Sequence, residues 1–253
     1  MKAWRVWLLP VLFMSAMLWI VATAANQSLF LSMNRLGPLT SDFLWAHITV
    51  IGDTLVALAL CLPLWRRRPD LVWALLFVVL LATLWVQGLK HLLEVARPPA
   101  VMPELHVIGP AYRAGSFPSG HATTAFAVAG LLVMGLRIKV LSFISVLLAF
   151  AVAISRAVVG VHWPLDILAG AFGGWLSAAA ALWIAQRTSA FGARPWVQWI
   201  LGCLLIACSL ALISGNSKSA YPVTLEFQRA LGLACLLFAG ARLIRDFRRR
   251  PGL

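Results

Sequence analysis

The stretch SRAVVGVHWPLD, residues 155–166, joins two long apolar runs and carries an arginine, a histidine and an aspartate. Charged and titratable side chains at membrane helices usually have a partner or a function. Pro164 suits the first turn of a helix, and Asp166 follows His162 by four residues, so their side chains can meet on one helical face. The stretch therefore predicts the end of one membrane helix, the start of the next, and a polar site between them.

The rest of the chain is apolar enough to lie in a membrane. Of 253 residues, 62% are hydrophobic and 11% are charged, whereas soluble domains carry about a quarter charged residues. A helix needs about 20 apolar residues to cross a bilayer, and its backbone groups must be paired internally. We expect one all-α integral membrane domain over residues 1–253, with spans at about 6–24, 46–65, 71–90, 120–136, 139–157, 164–185, 196–214 and 228–245.

The net charge of +13 is distributed as membrane topology requires, so no nucleic-acid partner is expected. With both termini cytoplasmic, fourteen of the 21 Lys and Arg residues lie on the inside, in agreement with the positive-inside rule. The basic C-terminal tail then serves as an anchor at anionic lipid. The fourteen are Lys2, Arg5, Arg66, Arg67, Arg68, Arg137, Lys139, Arg187, Arg194, Arg242, Arg245, Arg248, Arg249 and Arg250. The other seven are Arg35, Lys90, Arg97, Arg113, Arg156, Lys218 and Arg229.

Two features of the apolar runs are not expected to carry chemistry. The first run has a basic start and the sequence ATA at 22–24, as a signal peptide has, but it is long for a signal, so we expect an uncleaved helix. The cysteines form no CxxC pair, and we expect them to be packing residues rather than disulfide partners or metal ligands. They are Cys61, Cys203, Cys208 and Cys235.

Two segments outside the regular spans are also informative. Residues 25–45 mix polar and apolar side chains and are expected to form an amphipathic helix at the outer interface. Asp53 falls inside the second predicted span, where a charge is costly and usually has a partner. We expect Asp53 to face Gln87 or a cation near the outer end of the bundle, or to be neutral.

A second polar stretch, KHLLEVARP at residues 90–98, ends the third predicted span on the same outer side. Lys90 and Arg97 are seven residues apart, nearly two helical turns, and so share a face before Pro98 stops the helix. Taken alone, Lys90 could pair with Glu94, or both cations could reach lipid head groups. Taken together with the first stretch, the pair predicts part of a polar site.

A third stretch, PSGH at residues 118–121, opens the fourth predicted span. Pro118 suits a helix start, and Ser119 suits an N-cap. The first backbone N–H groups of this helix would point outward and favour an anion, with His121 among them. Alone, the motif could be only a helix start.

The three stretches together supply the parts of a site for phosphoryl transfer. Three cations, Lys90, Arg97 and Arg156, are suited to bind phosphate oxygens and to stabilise the charge that develops on them. A neutral imidazole can attack phosphorus, and a protonated one can supply a proton to the leaving oxygen. Because Asp166 can hold the far ring nitrogen of His162 as N–H, we predict His162 as nucleophile and His121 as general acid. The sequence contains no set of residues typical of a catalytic metal, so no metal and no cofactor is expected.

These stretches resemble the three signatures of the type 2 phosphatidic-acid phosphatase (PAP2) family, K-x6-R-P, P-S-G-H and S-R-x5-H-x3-D, and every defined position matches. The resemblance covers about residues 45–187 and implies a six-helix membrane bundle that removes phosphate without metal through a phosphohistidine. The last two predicted spans, within about 196–245, exceed those six. The implied roles are phosphate binding by Lys90, Arg97 and Arg156, hydrogen bonds from Ser119 and Gly120, acid catalysis by His121, and nucleophilic attack by His162 with Asp166 as its partner.

The expected function is that of a lipid phosphatase whose active site faces the periplasmic or extracytoplasmic side of the inner (plasma) membrane. Undecaprenyl pyrophosphate is the preferred substrate; phosphatidylglycerol phosphate, phosphatidic acid and lipid A 1-phosphate are alternatives with the same chemistry. Two other classes of function stay open, a vanadate-dependent haloperoxidase with the same ligand set and a lipid-binding or transport protein without catalysis. The expected partners are the lipid phosphate and membrane lipids, and the oligomeric state is left open.

Overall fold

The computed structural model describes residues 3–102, 104–136, 138–215 and 220–248, with side chains between residues 6 and 245. Lys2, Arg137, Lys218, Arg249 and Arg250 of the predicted charge distribution lie outside the described residues. Within the described ranges the chain is helical and has no strand. The helices are α1 (Ala3–Thr23), α2 (Asn26–Asn34), α3 (Leu36–Leu39), α4 (Asp42–Val50), α5 (Thr54–Cys61), α6 (Pro69–Leu93), α7 (Pro98–Val101), α8 (Gly120–Gly135), α9 (Lys139–Val158), α10 (Pro164–Arg187), α11 (Ser189–Gly192), α12 (Pro195–Ser214) and α13 (Leu225–Arg248).

The predicted class, an all-α integral membrane protein, is confirmed. Among the described residues, six helices are long and apolar enough to cross a membrane, namely α1, α6, α9, α10, α12 and α13. A seventh crossing is formed if the bent pair of α4 and α5 is one span. The remaining predicted span corresponds to α8, which is apolar but has 16 residues.

The second predicted span, 46–65, is broken rather than continuous. The helices α4 and α5 meet at an angle of 60°. Asp53 lies at this break and is the N-cap of α5, where its carboxylate accepts a hydrogen bond of 2.8 Å from the backbone N–H of Leu55. The placement of Asp53 inside a helix was therefore wrong, because the break exposes N–H groups that a carboxylate can cap. Gly52, also at the break, packs so closely on α8 that a Cβ would lie 3.1 Å from the His121 Cβ.

Close packing of α8 on α10 organises the centre of the bundle. A Cβ on Gly174 would clash with the carbonyl oxygen of Thr123. A Cβ on Gly170 would lie 2.5 Å from the carbonyl oxygen of Ser119. Small residues four apart allow membrane helices to approach closely in this way. The approach places the first residues of the two helices side by side, and the Ser119 N–H donates to the backbone carbonyl of Asp166 at 2.9 Å.

The first helix, α1, packs against both α8 and α10. The indole N–H of Trp175 on α10 donates to the backbone carbonyl of Val6 at 2.9 Å. Phe13 meets Phe126 of α8 edge to face, with ring centroids 5.0 Å apart. Edge-to-face contacts of this kind add to the packing energy of the buried rings.

The two C-terminal helices pack on each other and on α5. At one end Leu212 is buried against Val56, and at the other the Trp65 indole N–H donates to the Gln198 carbonyl at 2.9 Å. All four cysteines are free thiols; Cys61 and Cys235 are buried, Cys208 is half-buried and Cys203 is exposed. The packing role predicted for the cysteines is therefore wrong for Cys203, which lies on the outward face of α12.

Within residues 25–45 the structure contains the helix α2, which packs across the adjoining ends of α9 and α10. Asn34 is buried, and its side-chain amide donates to the carbonyl oxygens of His106 (2.8 Å) and Val158 (3.0 Å). Asn26 accepts from the backbone N–H of Leu165 at 3.1 Å. The helix thus ties together the connection between α9 and α10, which carries His162.

Candidate active site

The three polar stretches converge at one end of the bundle. The C-terminal ends of α6 and α9 and the N-terminal ends of α8 and α10 meet there. Arg97 Nη1 lies 3.4 Å from His162 Nε2, although the two residues are 65 positions apart in the chain. The eight predicted site residues lie at or next to these helix ends: Lys90, Arg97, Ser119, Gly120, His121, Arg156, His162 and Asp166. The predicted shared helical face of Lys90 and Arg97 is wrong, because α6 ends at Leu93 and Arg97 lies in extended backbone before α7.

His162 and Asp166 form a buried pair at the start of α10, and each is 2% exposed. The imidazole Nδ1 lies 3.4 Å from Asp166 Oδ2. The same oxygen accepts from the backbone N–H of Trp163 at 2.8 Å and from the hydroxyl of Ser116. Because the Arg97 guanidinium can only donate, its contact with Nε2 assigns the lone pair to that atom and the proton to Nδ1. In this tautomer the unprotonated nitrogen is Nε2, on the side of the cations, as nucleophilic attack on a bound phosphate requires.

Burial and neighbouring positive charges lower the pKa of His162 well below its usual value. Burial is the larger cause, because it disfavours the charged form of the ring. The charges that add to it belong to Arg97, Arg156, Lys90 and His121, in that order. The ring is therefore neutral near pH 7, as an attacking nitrogen must be.

The Arg97 guanidinium is held in place by backbone carbonyls. It donates to Ala114 at 2.9 Å, to Gly115 at 3.2 Å and to Val161 at 3.4 Å. The first two carbonyls belong to the loop before α8, which folds back over the end of α6. The side chain is only 9% exposed, so this cation has a fixed position beside His162.

Arg156, at the end of α9, is buried and only partly satisfied. Its Nη1 donates to the hydroxyls of Thr49 (2.5 Å) and Tyr221 (3.1 Å). Its Nε is buried and has no hydrogen-bond partner within the described part of the chain. A buried charged donor without a partner is costly, and an oxyanion in the site would satisfy it.

The start of α8 contributes another unsatisfied donor. Ser119 occupies the predicted N-cap position, but its side chain makes no capping hydrogen bond. Its hydroxyl is fully buried and has no partner among the described residues. Gly120 begins the helix, and His121 follows it half-buried at the mouth of the site. The hydroxyl and the free N–H groups of the helix start thus converge where an anion is favoured.

The structure adds three hydroxyl residues that the sequence analysis did not select, Ser116, Thr49 and Tyr221. Ser116 lies two positions before Pro118, and its proximity to PSGH could have drawn attention to it. Thr49 is a polar residue within an apolar run, and it is fully buried. Tyr221 had no local signal, because its contact with Arg156 spans 65 residues of chain.

A groove of about 220 Å³, lined by apolar side chains together with several threonines and Gln87, leads away from the site between α5, α6 and α8. Lys90 and Gly120 lie at its polar end. Its apolar lining comes from Ala57, Leu58, Leu75, Val78, Val79, Ala82, Val86, Ala127 and Val128. A larger cavity of about 1080 Å³, beside Arg68 and Asp70, is lined by none of the predicted site residues and lies at the opposite end of the bundle.

The arrangement suits the binding of a tetrahedral oxyanion. Three cations, unsatisfied donors and a helix start surround a neutral imidazole whose Nδ1 is fixed by a carboxylate. Such donors stabilise charge that develops on equatorial oxygens during phosphoryl transfer. Over the described residues, no group of three or more His, Cys, Asp or Glu side chains is placed to hold a metal ion.

Comparison with protein families gives a match to the model described as PAP2 superfamily, over residues 71–190. The chain is 40% identical over 93 residues to the bacitracin transport permease protein BcrC of Bacillus licheniformis, which is 37% of this chain and 45% of that protein. It is 23% identical over 196 residues to an undecaprenyl-diphosphatase of Sulfolobus acidocaldarius, which is 70% of this chain and 90% of the relative.

Among solved structures, the chain resembles the crystal structure of LpxE from Aquifex aeolicus. The TM-score is 0.58 at 30% sequence identity, and the match covers 62% of this chain and 94% of LpxE. The uncovered part of this chain is larger than the uncovered part of LpxE, in keeping with a chain that has helices beyond the common bundle.

Proposed function

The chain belongs to the PAP2 superfamily, and we propose that it is a metal-independent membrane lipid phosphatase that acts through a phosphohistidine on His162. One observation carries the proposal: a buried, neutral His162, oriented by Asp166, faces a pocket of cations with unsatisfied donors. A purely structural histidine would not need this surplus of positive charge around it.

In the first step His162 Nε2 attacks phosphorus, and the bond from phosphorus to the lipid oxygen breaks. His121 donates a proton to the leaving oxygen, so that the lipid product departs protonated. Asp166 accepts the hydrogen bond of Nδ1–H and stabilises the positive charge that the ring gains. Lys90, Arg97 and Arg156 hold the three equatorial oxygens and stabilise their negative charge, so the step is written without a metal ion.

In the second step water attacks the phosphohistidine. His121, now neutral, accepts a proton from the water, and the bond between phosphorus and His162 Nε2 breaks. Inorganic phosphate leaves, and both histidines return to their starting protonation states. Ser119 and the N–H groups beginning at Gly120 bind the phosphoryl oxygens in both steps.

The groove between α5, α6 and α8 supports a lipid as the substrate. Its apolar lining continues from Lys90 and Gly120 along the membrane-spanning part of the bundle. A lipid tail that lies in this groove stays in an apolar environment while its phosphate reaches the cations. Because the tail is out of water both in the bilayer and in the groove, the groove contributes van der Waals packing and shape rather than a hydrophobic transfer energy.

Undecaprenyl pyrophosphate is the proposed substrate within this class. Its support is the undecaprenyl-diphosphatase of Sulfolobus acidocaldarius, whose similarity extends over 90% of that relative. Phosphatidylglycerol phosphate, phosphatidic acid and lipid A 1-phosphate are tested beside it, because the cation pocket accepts any of these phosphates.

The site is proposed to face the periplasmic or extracytoplasmic side of the inner membrane, with both termini in the cytoplasm. The support is the excess of Lys and Arg in the segments on the other side. A single cysteine introduced at Arg113, in the loop over the site, tests this orientation. Labelling by an impermeant reagent from outside the cell is expected, and labelling only after the membrane is opened would refute the orientation.

The test of function is phosphate release by purified protein across a panel of the four lipids, in the presence of EDTA. We expect the highest kcat/KM for undecaprenyl pyrophosphate and no loss on chelation. His162→Ala is expected to abolish release, and Cys203→Ser, on the outward face of α12, serves as the matched variant with unchanged activity. Activity that disappears with EDTA, or that survives His162→Ala, contradicts the proposal.

A further inference from the structure

A side chain from outside the matched family region reaches the site. Tyr221 lies in the connection between α12 and α13, whereas the family match ends at residue 190. Its hydroxyl lies 3.1 Å from Arg156 Nη1, which donates the hydrogen bond. The side chain is buried, at 5% exposure. The C-terminal helix pair therefore contributes a residue that touches one of the proposed phosphate-binding cations.

Tyr221 and Thr49 together engage one nitrogen of the Arg156 guanidinium. Nη1 carries two hydrogens and donates to both hydroxyls, at 2.5 Å to Thr49 and 3.1 Å to Tyr221. The edge formed by Nε and Nη2 is then the one left to meet an anion, and Nε is buried without a partner in the described ranges. A guanidinium edge of this kind can bind two phosphate oxygens at once.

The Tyr221 ring is firmly seated against the parts of the chain that carry the site. It packs in a buried cluster with Val159 and Val161, in the turn that leads to His162. Gly109 approaches it so closely that a Cβ would lie 2.7 Å from the ring, and the φ of +85° at this glycine suits a residue without a Cβ. The hydroxyl therefore has a defined position beside the guanidinium.

We infer that Tyr221 is a positioning residue that fixes Arg156 with its Nε–Nη2 edge toward the phosphate, and that this is how the two C-terminal helices take part in the site. The inference rests on the proposed function, since it assigns phosphate binding to Arg156. Without the tyrosine hydroxyl, Nη1 keeps Thr49 as its acceptor, and the guanidinium gains freedom to rotate away from the bidentate geometry.

The test compares the only two tyrosines of the chain. Tyr221→Phe keeps the buried ring and removes the hydroxyl, whereas Tyr112→Phe makes the same change on an exposed loop side chain. We expect Tyr221→Phe to lower kcat/KM about tenfold and to weaken orthovanadate binding by a similar factor, because a hydrogen bond to a charged group is lost. Tyr112→Phe should change neither by more than about twofold, and both variants should melt at the wild-type temperature.

Two further variants distinguish positioning of Arg156 from a general structural role. In an Arg156→Lys background, Tyr221→Phe should lower kcat/KM by a further factor of less than about two, because the guanidinium that the hydroxyl holds in place is already absent. Thr49→Val, which removes the other acceptor of Nη1, should also lower kcat/KM and weaken orthovanadate binding. If Tyr221→Phe still lowers kcat/KM about tenfold in the Arg156→Lys background, the inference is overturned.

The outcomes also separate this inference from the proposed function. If wild-type protein releases no phosphate from any lipid, the proposed function fails, and orthovanadate binding, measured as a rise in melting temperature, decides the inference alone. If wild-type protein is active and Tyr221→Phe retains full activity and orthovanadate affinity, the inference fails and the proposed function stands.

Discussion

The substitution Asp166→Asn tests how much the carboxylate contributes to the reactivity of His162. The amide oxygen can still accept from the Trp163 N–H and the Ser116 hydroxyl, so the start of α10 should keep its geometry. What is lost is the negative charge, 3.4 Å from the ring nitrogen Nδ1. At an effective dielectric constant of about 20, Coulomb's law gives about 5 kcal/mol for unit charges at that separation.

This energy acts when His162 becomes positively charged during attack on phosphorus, so it appears in the transition state. A barrier raised by about 5 kcal/mol corresponds to a loss of about 10³–10⁴ in kcat. The assay is steady-state phosphate release, with the melting temperature recorded in the same detergent. Asp70→Asn is the matched control, since Asp70 is exposed and pairs with Arg68 at the opposite end of the bundle. A folded Asp166→Asn variant with kcat within about tenfold of wild type would refute the reasoning.

Three further predictions concern the groove, the pH dependence and the helix packing. Ala82→Trp, which fills part of the groove, should lower kcat/KM for long-chain lipids about tenfold and leave kcat/KM for a soluble short-chain phosphate unchanged. The control Ala180→Trp, on an exposed face of α10, should change kcat/KM for neither substrate. Equal losses on both substrates would contradict a tail in the groove. Because the pKa of His162 is lowered, its neutral form persists until the pH falls through that lowered value. The acidic limb of kcat/KM, corrected for substrate ionisation, should therefore lie below about pH 6.5, and a limb at neutral pH would count against His162 as the attacking base. Gly174→Ala should destabilise the bundle by about 1–3 kcal/mol by forcing α8 from α10, while Gly88→Ala, with open space around it, should not lower the melting temperature. Identical melting of the two variants would contradict the packing argument.

The sequence was sufficient to predict the helical membrane class and to select polar residues that the fold brings together at one end of the bundle. Apolar runs of span length and three short polar stretches are local features, and each can be read without knowing the fold. The charge distribution placed all three stretches on one side of the membrane, so the approach of Arg97 to His162 followed from topology. Their hydrogen-bond geometry, including the role of Ser116, required the structure.

Other features depend on contacts between distant residues and could not be read from the sequence. The break at Asp53 leaves the apolar character of the span unchanged, so hydropathy predicts a continuous helix. The unpartnered hydroxyl of Ser119 becomes visible only when the packing of α8 on α10 is known. Tyr221 follows a different helix pair from the one that carries Arg156, and only the folded chain brings them together.

The central claim is that phosphate passes through a covalent bond to His162. The most direct measurement is rapid acid-free quenching of the enzyme with undecaprenyl pyrophosphate labelled at its terminal phosphate, followed by peptide mapping at alkaline pH. Labelled phosphate on the peptide that contains His162, absent from the His162→Ala variant, is the result we predict. Label on a different residue, or phosphate release at full rate with no labelled enzyme at any time, would contradict the account.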